Sequence, residues 1–293
     1  MNLPKYPLLK HFFVLPLLLL ILTLSCDTND SISDAETLNT IQSETDDILE
    51  IESIEENLDA MIESLSFDID QVDLLKSNNS KLYISPHQIP ECASVSANLQ
   101  NNVLEIVLDF GDGCTTEFDN ILTGKILISI VQGSEKNKKM IVQSFENFTF
   151  NERLIQGSVS KARYKKMGET PAYSLITKEL KISWEDGSFS TIQSDRKREW
   201  IKGSDNIIWS DNVYLITGES SIKGRKGNTK KILITEALRR EAFCKNIVSG
   251  KLEITKNDKA SILDYGEGEC DNLATLTIGD IETIIELKKR RRS

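Results

Sequence analysis

An alternation of apolar and polar residues with a period of two runs through most of the chain and limits what it can fold into. It begins near residue 81 and is clearest at 104–110, 126–130, 176–184, 213–217, 231–235, 251–255 and 283–287. Such a period places successive side chains on opposite faces of a strand, and the residues between the runs favour tight turns. The pattern predicts a mainly β fold over residues 81–287, a long antiparallel meander of about ten to twelve strands that forms a curved open sheet or a partly closed barrel.

A helical stretch precedes the strands. Between residues 45 and 66, apolar side chains recur every three or four positions: Ile48, Ile51, Ile54, Leu58, Ile62 and Leu65. This spacing forms one stripe of a helix, and the acids in its first turns suit the helix dipole. We expect this acidic amphipathic helix to pack on its own protein, with binding to a partner as the alternative. A second, weaker helical stretch is indicated at Glu236–Ala242.

Glycines recur at near-even intervals through the strand region. They are Gly124, Gly157, Gly187, Gly218, Gly250 and Gly279, which lie 29 to 33 residues apart. An interval of this size matches one long hairpin of two strands and two turns. We expect one glycine per hairpin to permit a kink or bulge that curves the sheet.

The first 25 residues have the features of a signal peptide. Lys5 and Lys10 precede an apolar run, residues 12–22, that is shorter than the roughly 20 residues needed to cross a bilayer. The run ends in Thr23-Leu24-Ser25-Cys26, which resembles the lipobox of bacterial lipoproteins, although Thr23 departs from the usual leucine. The resemblance implies cleavage before Cys26 and anchoring through lipid chains, such as palmitate, on that cysteine. An ordinary secretory signal with an incidental cysteine is the alternative.

Charge is unevenly distributed along the rest of the chain. Between Asp27 and Asp73 there are sixteen acids and no base, and residues 26–44 are expected to be an acidic flexible tether. The acids directly after Cys26 resemble the surface-export signal of Bacteroidetes-type lipoproteins. The acidic balance argues against nucleic acid as a partner. Residues 288–293 form a basic tail that could be solvated, contact the acidic helix or contact membrane phosphates.

Four cysteines remain once Cys26 is assigned to the anchor: Cys92, Cys114, Cys244 and Cys270. An even number in an exported protein predicts two disulfides, although four cysteines allow three pairings. A metal site is the competing interpretation, but the sequence contains no Cys-x-x-Cys motif. Local pairing would close loops of roughly 25 residues, each contributing about 3.5 kcal/mol of stability.

A longer similarity joins the two halves of the strand region and favours local pairing. Residues 108–114, Leu-Asp-Phe-Gly-Asp-Gly-Cys, are similar to residues 263–270, Leu-Asp-Tyr-Gly-Glu-Gly-Glu-Cys. Each segment follows an earlier cysteine and precedes an Asp-Asn pair. Together with the lipobox, this element resembles uncharacterised outer-membrane lipoproteins of the Bacteroidetes type. The resemblance implies an outer-membrane, lipid-anchored location, with display at the cell surface as a further expectation, and implies no chemistry.

The same acidic glycine turns supply the candidate metal ligands. Asp109, Asp112, Glu267, Glu269 and Asp271 carry the hard oxygen atoms that Ca²⁺ prefers. The spacing does not match an EF-hand, because the twelfth position counted from Asp109 is Asn120. Glycine and aspartate are also what tight hairpin turns require, so a purely structural turn is the leading interpretation.

Catalysis has little support in the sequence, and we expect no enzyme and no catalytic residue. His87 is the one histidine after the signal, so a Ser/His or Cys/His mechanism would depend on a residue in a loop-like segment. Trp184, Trp200 and Trp209 lie close together in sequence. Buried, they would belong to the core; exposed, they would form a glycan- or partner-binding face.

The leading functional hypothesis is therefore a non-enzymatic envelope lipoprotein that binds or scaffolds another envelope protein, a glycan or a lipid. The runner-up is a carrier that shelters an apolar ligand, such as acyl chains, beneath the helix. A polysaccharide-active enzyme that uses two carboxylates is the third hypothesis.

The anchor can be tested directly. We expect Cys26→Ala to move the protein from the membrane fraction to the soluble fraction, because the acylated side chain is lost. Thr28→Ala, which leaves the cysteine in place, is the matched control and should stay with the membrane. Retention of Cys26→Ala in the membrane fraction would contradict a lipid anchor.

Overall fold

The computed structural model describes residues 47–65, 89–116, 119–132, 138–165, 167, 171–204 and 208–287. The expected signal peptide, Cys26, the tether, His87 and the basic tail lie outside these residues. Residues 47–65 form a helix, α1. Most of the rest is strand.

Fourteen strands follow α1 in the described part of the chain. They are β1 (Ser94–Gln100), β2 (Val103–Asp109), β3 (Cys114–Thr115), β4 (Ile121–Gln132), β5 (Lys138–Phe150), β6 (Arg153–Tyr164), β7 (Ala172–Ser183), β8 (Phe189–Lys202), β9 (Val213–Lys223), β10 (Thr229–Glu241), β11 (Ser249–Lys256), β12 (Lys259–Glu267), β13 (Leu273–Ile278) and β14 (Ile281–Glu286). A short 3-10 turn, Trp209–Asp211, precedes β9.

The strands form one antiparallel meander, which confirms the predicted fold class. Each strand pairs with its neighbour in sequence, except that β2 pairs directly with β4 and the two-residue β3 also pairs with β4. Of the two predicted forms the open sheet is correct, since β1 and β14 are not paired with each other in the described residues. The count exceeds the expected ten to twelve strands because short strands such as β3 carry too few residues to show a period.

The sheet curls around α1. Two sides of the helix are buried: Ile51, Ile54 and Leu58 on one side and Glu52, Glu55 and Asp59 on another are each at most 5% exposed. A flat sheet could cover only one side of a helix, so burial of this extent requires a curved one. We call the face of the sheet that contacts α1 the inner face and the opposite face the outer face.

In-strand glycines lie at the irregular points of this curved sheet, as their spacing predicts. Gly124 and Gly250 lie within register shifts of β4 against β5 and of β11 against β12, while Gly157 and Gly218 lie opposite shifts in β5 and β10. All four have positive φ. The regular spacing also includes Gly187 and Gly279, which lie in hairpin turns instead. The bulges bend the strands toward α1.

One expected element is wrong. Glu236–Ala242 is not helical: residues through Glu241 belong to β10. The register of β10 against β9 shifts between Leu233 and Leu238, so the buried Ile234 and Leu238 are four residues apart instead of two. The four-residue interval between these buried side chains is also found along one side of a helix, which explains the wrong prediction.

Both disulfides join the cysteines that local pairing predicts. Cys92 is bonded to Cys114 and Cys244 to Cys270. The first ties the segment before β1 to β3. The second holds the connector between β10 and β11 to the loop after β12.

The curvature depends on glycine where strands approach closely. A Cβ at Gly218 would lie 2.2 Å from the carbonyl oxygen of Asp195, whereas a Cβ at Gly187 would meet no atom within 4 Å. Both glycines have positive φ. We expect Gly218→Ala to lower the free energy of unfolding by about 2 to 4 kcal/mol and Gly187→Ala by about 1 kcal/mol, as measured by urea unfolding. Equal losses would show that backbone conformation alone, and not the close approach, makes Gly218 necessary.

Candidate functional site: the charged inner face

The acids of α1 form a stripe of their own. Glu52, Glu55, Asp59 and Glu63 follow one another at intervals of three and four residues, so they share one side of the helix. All four are at most 5% exposed. Burying ionised carboxylates costs several kcal/mol each unless they are paired, so their partners decide how the helix packs.

Basic side chains of the inner face meet this stripe. Lys161 on β6, Lys178 on β7, and Arg196 and Arg198 on β8 are each at most 4% exposed. Alternation places them on the inner face, because Lys178 shares its side of β7 with the buried Ile176.

Arg196 makes the best-formed pair. Its Nη1 and Nη2 donate to the two carboxylate oxygens of Glu52 at 2.9 and 2.5 Å. Its Nη2 also donates to the hydroxyl of Ser220 at 3.0 Å. This two-pronged arrangement fixes the direction of both side chains as well as their distance.

The next acids along the helix pair with β7, β8 and β6 in turn. The Nζ atom of Lys178 lies 2.9 Å from Asp59 and 3.3 Å from Glu55. Arg198 lies 3.4 Å from Asp59, and Lys161 pairs with Glu63. The helix therefore has a charged contact at each of its last three turns.

These contacts shift the pKa values of the acids in opposite directions. Burial alone raises the pKa of Asp59 and of Glu63, but Lys178 and Arg198 lower the first to about 2, and Lys161 and Arg163 lower the second to about 2. For Glu55 burial dominates and raises the pKa above its ordinary value. Neither carboxylate oxygen of Glu55 accepts a hydrogen bond within the described part of the chain. Asp59 and Glu63 thus stabilise the fold in their charged form, whereas the charge on Glu55 destabilises it.

Sequence reasoning missed this network, although its two halves are visible in the sequence. The acidic stripe of α1 has helical spacing, and Lys178 occupies a position that alternation assigns to the buried side of a strand. A base predicted on the buried side of a strand needs a buried acid as its partner, and the acidic stripe of α1 could have been recognised as that partner. Alternation alone could not say which strands would reach the helix.

In the acidic glycine turns, aspartate side chains accept hydrogen bonds from nearby backbone amides of the same turn. Oδ1 of Asp109 accepts a hydrogen bond from the amide of Gly111, and Oδ1 of Asp264 accepts one from Gly266, both at 2.9 Å. The two similar motifs therefore make the same turn. Oδ1 of Asp271 accepts a hydrogen bond from Leu273 at 3.0 Å.

The candidate ligands Asp112, Glu267 and Glu269 lie in or beside these turns. Among the residues that the structure describes, no three His, Cys, Asp or Glu side chains are arranged to hold a metal ion. The Ca²⁺ interpretation thus has no ligand set in the described turns.

The tryptophans lie in the interior. Trp184, Trp200 and Trp209 are each 7% exposed. Trp200 and Trp209 pack with Tyr214 in a second, smaller core. Trp184 lies beneath the guanidinium of Arg225, 4.8 Å from the ring centre. These three tryptophans therefore do not form an exposed binding face.

The outer face carries a different aromatic group. The rings of Tyr164 on β6 and Tyr173 on β7 stack with centres 4.6 Å apart. The Nζ atoms of Lys138 and Lys197 lie 5.2 Å from the two rings, one on each side. Leu175, on the same face of β7, is 45% exposed. We call Val142, Tyr164, Tyr173 and Leu175 the outer patch.

A pocket lies beside the partly exposed side of α1. It is open to solvent, and the empty space of about 450 Å³ includes its open mouth. Arg240 at the end of β10, Tyr265 on β12 and Leu287 form part of its wall. The other lining residues are Leu49, Glu52, Ser53, Glu56 and Asn57 of α1 and Lys245, Asn246 and Ile247 of the connector.

Comparisons with known proteins add no family: no family model, no curated protein and no solved structure matches the chain. In the described part of the chain, none of the helical structure has the length and apolar character to span a bilayer.

The opposite pKa shifts of Asp59 and Glu55 generate a paired prediction. We expect Asp59→Asn to lower the free energy of unfolding at neutral pH by about 3 kcal/mol, because Lys178 and Arg198 lose the acid they share. Glu55→Gln should leave stability unchanged or raise it, because it removes a buried charge whose pKa is raised. Chemical unfolding of both variants measures this difference.

The pH dependence follows from the sign of the shift. The pKa of Asp59 lies below its ordinary value of 3.8, so its contribution is present above about pH 4 and is lost as the pH falls toward 2. The difference between the parent protein and Asp59→Asn should therefore shrink over that range. A larger loss for Glu55→Gln than for Asp59→Asn at neutral pH would contradict the assigned roles.

Proposed function

We propose that the protein is a lipid-anchored outer-membrane lipoprotein with a non-enzymatic binding or scaffolding role, and that it binds its partner through the outer face of the sheet. The anchor and the compartment rest on the sequence around Cys26. The two disulfides are in keeping with an oxidising location.

The observation that carries the proposal is the occupied inner face. In a curved sheet the inner face is the usual place for a ligand. Here α1 fills it, with apolar contacts on one side of the helix and ion pairs on another. A partner therefore has the outer face and the sheet edges to bind.

The outer patch has the composition of a contact surface. Leu175, 45% exposed, is two residues from Tyr173 on the same face of β7, and Val142, 42% exposed, lies on the outer face of β5. Tyrosine offers a large contact area with few rotatable bonds and is enriched in protein interfaces. Lys138 and Lys197 flank the stack, and Lys197 also pairs with Glu199 at 2.5 Å.

The carrier hypothesis fits the inner face less well. A ligand in the place of α1 would have to cover Lys178, Arg196 and Arg198 as well as apolar side chains. A neutral acyl chain would leave these bases buried without partners, at a cost of several kcal/mol. The enzyme hypothesis needs two carboxylates that face a substrate, whereas the buried acids of α1 face the sheet.

Site-specific photo-crosslinking in intact cells tests the proposal. A photoreactive amino acid at position 175 should give a crosslinked product of one defined mass. Position 262, also on the outer face and 41% exposed in the native protein, is the matched control and should give none. Tyr173→Ser should weaken the product at position 175, because the stack that shapes the patch is lost.

Two results would contradict the outer patch as the binding surface. One is an equal product from positions 175 and 262, which would indicate random encounters. The other is a product at position 175 that Tyr173→Ser leaves unchanged.

A further inference from the structure

The first strand, β1, forms one edge of the sheet. It pairs with β2 over Ser94–Gln100 without a register shift, and its other side has no strand partner among the described residues. None of its seven residues is charged, and none is proline. Charges, prolines and bulges commonly protect an edge strand from pairing with another chain, and β1 has none of these. A further strand can therefore be added at this edge.

Hydrogen bonds on the other side of β2 identify the free backbone groups of β1. The amide of Phe110, directly after β2, donates to the carbonyl oxygen of Gly124 in β4. Even-numbered residues of β2 therefore bond to β4 and odd-numbered ones to β1. The two-residue turn between β1 and β2 requires the same arrangement. It follows that Val95, Ala97 and Leu99 direct their amides and carbonyls away from the sheet.

The side chains of these three residues are covered only in part. Val95, Ala97 and Leu99 pack against the core but remain partly exposed. On the neighbouring strand, the inner-face residues Leu104 and Ile106 are 7% and 1% exposed. The core therefore thins toward β1, and a strand added there would remove apolar surface from water.

A second copy of β1 fits this edge. Antiparallel pairing about a two-fold axis at Ala97 sets Val95 opposite Leu99 of the second copy and Ala97 opposite its own equivalent. Each of these pairs exchanges two backbone hydrogen bonds, so the free groups of all three residues are used. On the outer face Ser96 lies opposite Asn98 of the second copy. Apolar side chains thus meet apolar ones, polar side chains meet polar ones, and no like charges come together.

The other edge of the sheet, β14, fits a second copy poorly. The amide of Leu287 donates to the carbonyl oxygen of Asn272, so the residues of β14 with free backbone groups are Glu282, Ile284 and Glu286. The corresponding two-fold pairing of β14 would set Glu282 opposite Glu286 of the second copy, on both sides of the axis. Like charges directly opposite each other destabilise a sheet.

Alternation also opposes pairing of β1 in one copy with β14 in another. The free groups of β1 belong to residues whose side chains lie on the inner face, whereas those of β14 belong to residues on the outer face. Such a pairing would set the inner face of one copy beside the outer face of the next. The core would then end at the contact instead of continuing across it.

We propose that the protein forms a two-fold symmetric dimer by antiparallel pairing of β1 with β1 of a second copy. The two sheets become one continuous sheet, and Val95, Ala97 and Leu99 of both copies form one apolar layer on its inner face. One strand from each copy is a small contact, so the dimer dissociates on dilution. The dimer depends on neither the lipid anchor nor the outer patch, so the failure of either proposal leaves the other standing.

Sedimentation velocity of the full mature chain carrying Cys26→Ala tests the dimer over a series of concentrations. The parent should change from monomer to dimer as the concentration rises. We expect Ala97→Pro to weaken the dimer about tenfold or more, because proline removes the amide at the centre of the contact and its ring blocks the second strand. Ile284→Pro makes the same change at a free position of β14 and should dimerise like the parent. Neither substitution removes a hydrogen bond between strands of the monomer.

Oxidative crosslinking of Ala97→Cys tests the register. The two-fold axis sets position 97 opposite itself with Cα atoms about 5.5 Å apart, a distance that a disulfide spans. Mild oxidation should therefore join the two copies covalently. Ile284→Cys is the matched control and should remain a single chain on a denaturing gel. If Ala97→Pro fails to fold, this experiment decides the matter alone.

Three results would overturn the proposal. The first is a parent protein that stays monomeric at every concentration. The second is equal dimerisation of the parent and folded Ala97→Pro, which would place the contact on another surface. The third is crosslinking of Ile284→Cys without crosslinking of Ala97→Cys, since the dimer would then use β14.

Discussion

The pairing of acids on α1 with bases on the inner face is the interaction on which the rest of the structure depends. Apolar contacts alone would hold a helix against the sheet in many positions, because they have no direction. The pairs of Glu52 with Arg196, Asp59 with Lys178 and Glu63 with Lys161 fix its position along its axis. They also bring three neighbouring strands to one helix, so they favour a sheet that is curved and not flat.

Burying these charged side chains also costs desolvation energy. Buried ion pairs recover their desolvation energy only when the geometry is good, and replacing them with apolar side chains often costs nothing. The two-pronged contact of Arg196 meets that condition, whereas Glu55, with a raised pKa and no hydrogen bond to its carboxylate in the described residues, does not. The network is better explained by the unique position it gives α1 than by the stability it adds.

The two sides of the sheet consequently have different roles. The inner face supplies the core and the charge network, and its strands need the in-strand glycines to curve around α1. The outer face presents the stacked Tyr164 and Tyr173 beside exposed aliphatic side chains. Beside the partly exposed side of α1, Arg240 lies in the wall of an open pocket. We therefore expect binding on the outer face.

The sequence by itself determined the elements: the period of two gave the meander, the period of 3.6 gave α1, and the repeated Asp-aromatic-Gly motif gave the disulfide pairs. Local rules suffice for these features because each depends on neighbours a few residues away. Only the tertiary structure decided that Lys178 would face Asp59, since these residues are 119 positions apart and their contact depends on how far the sheet curves.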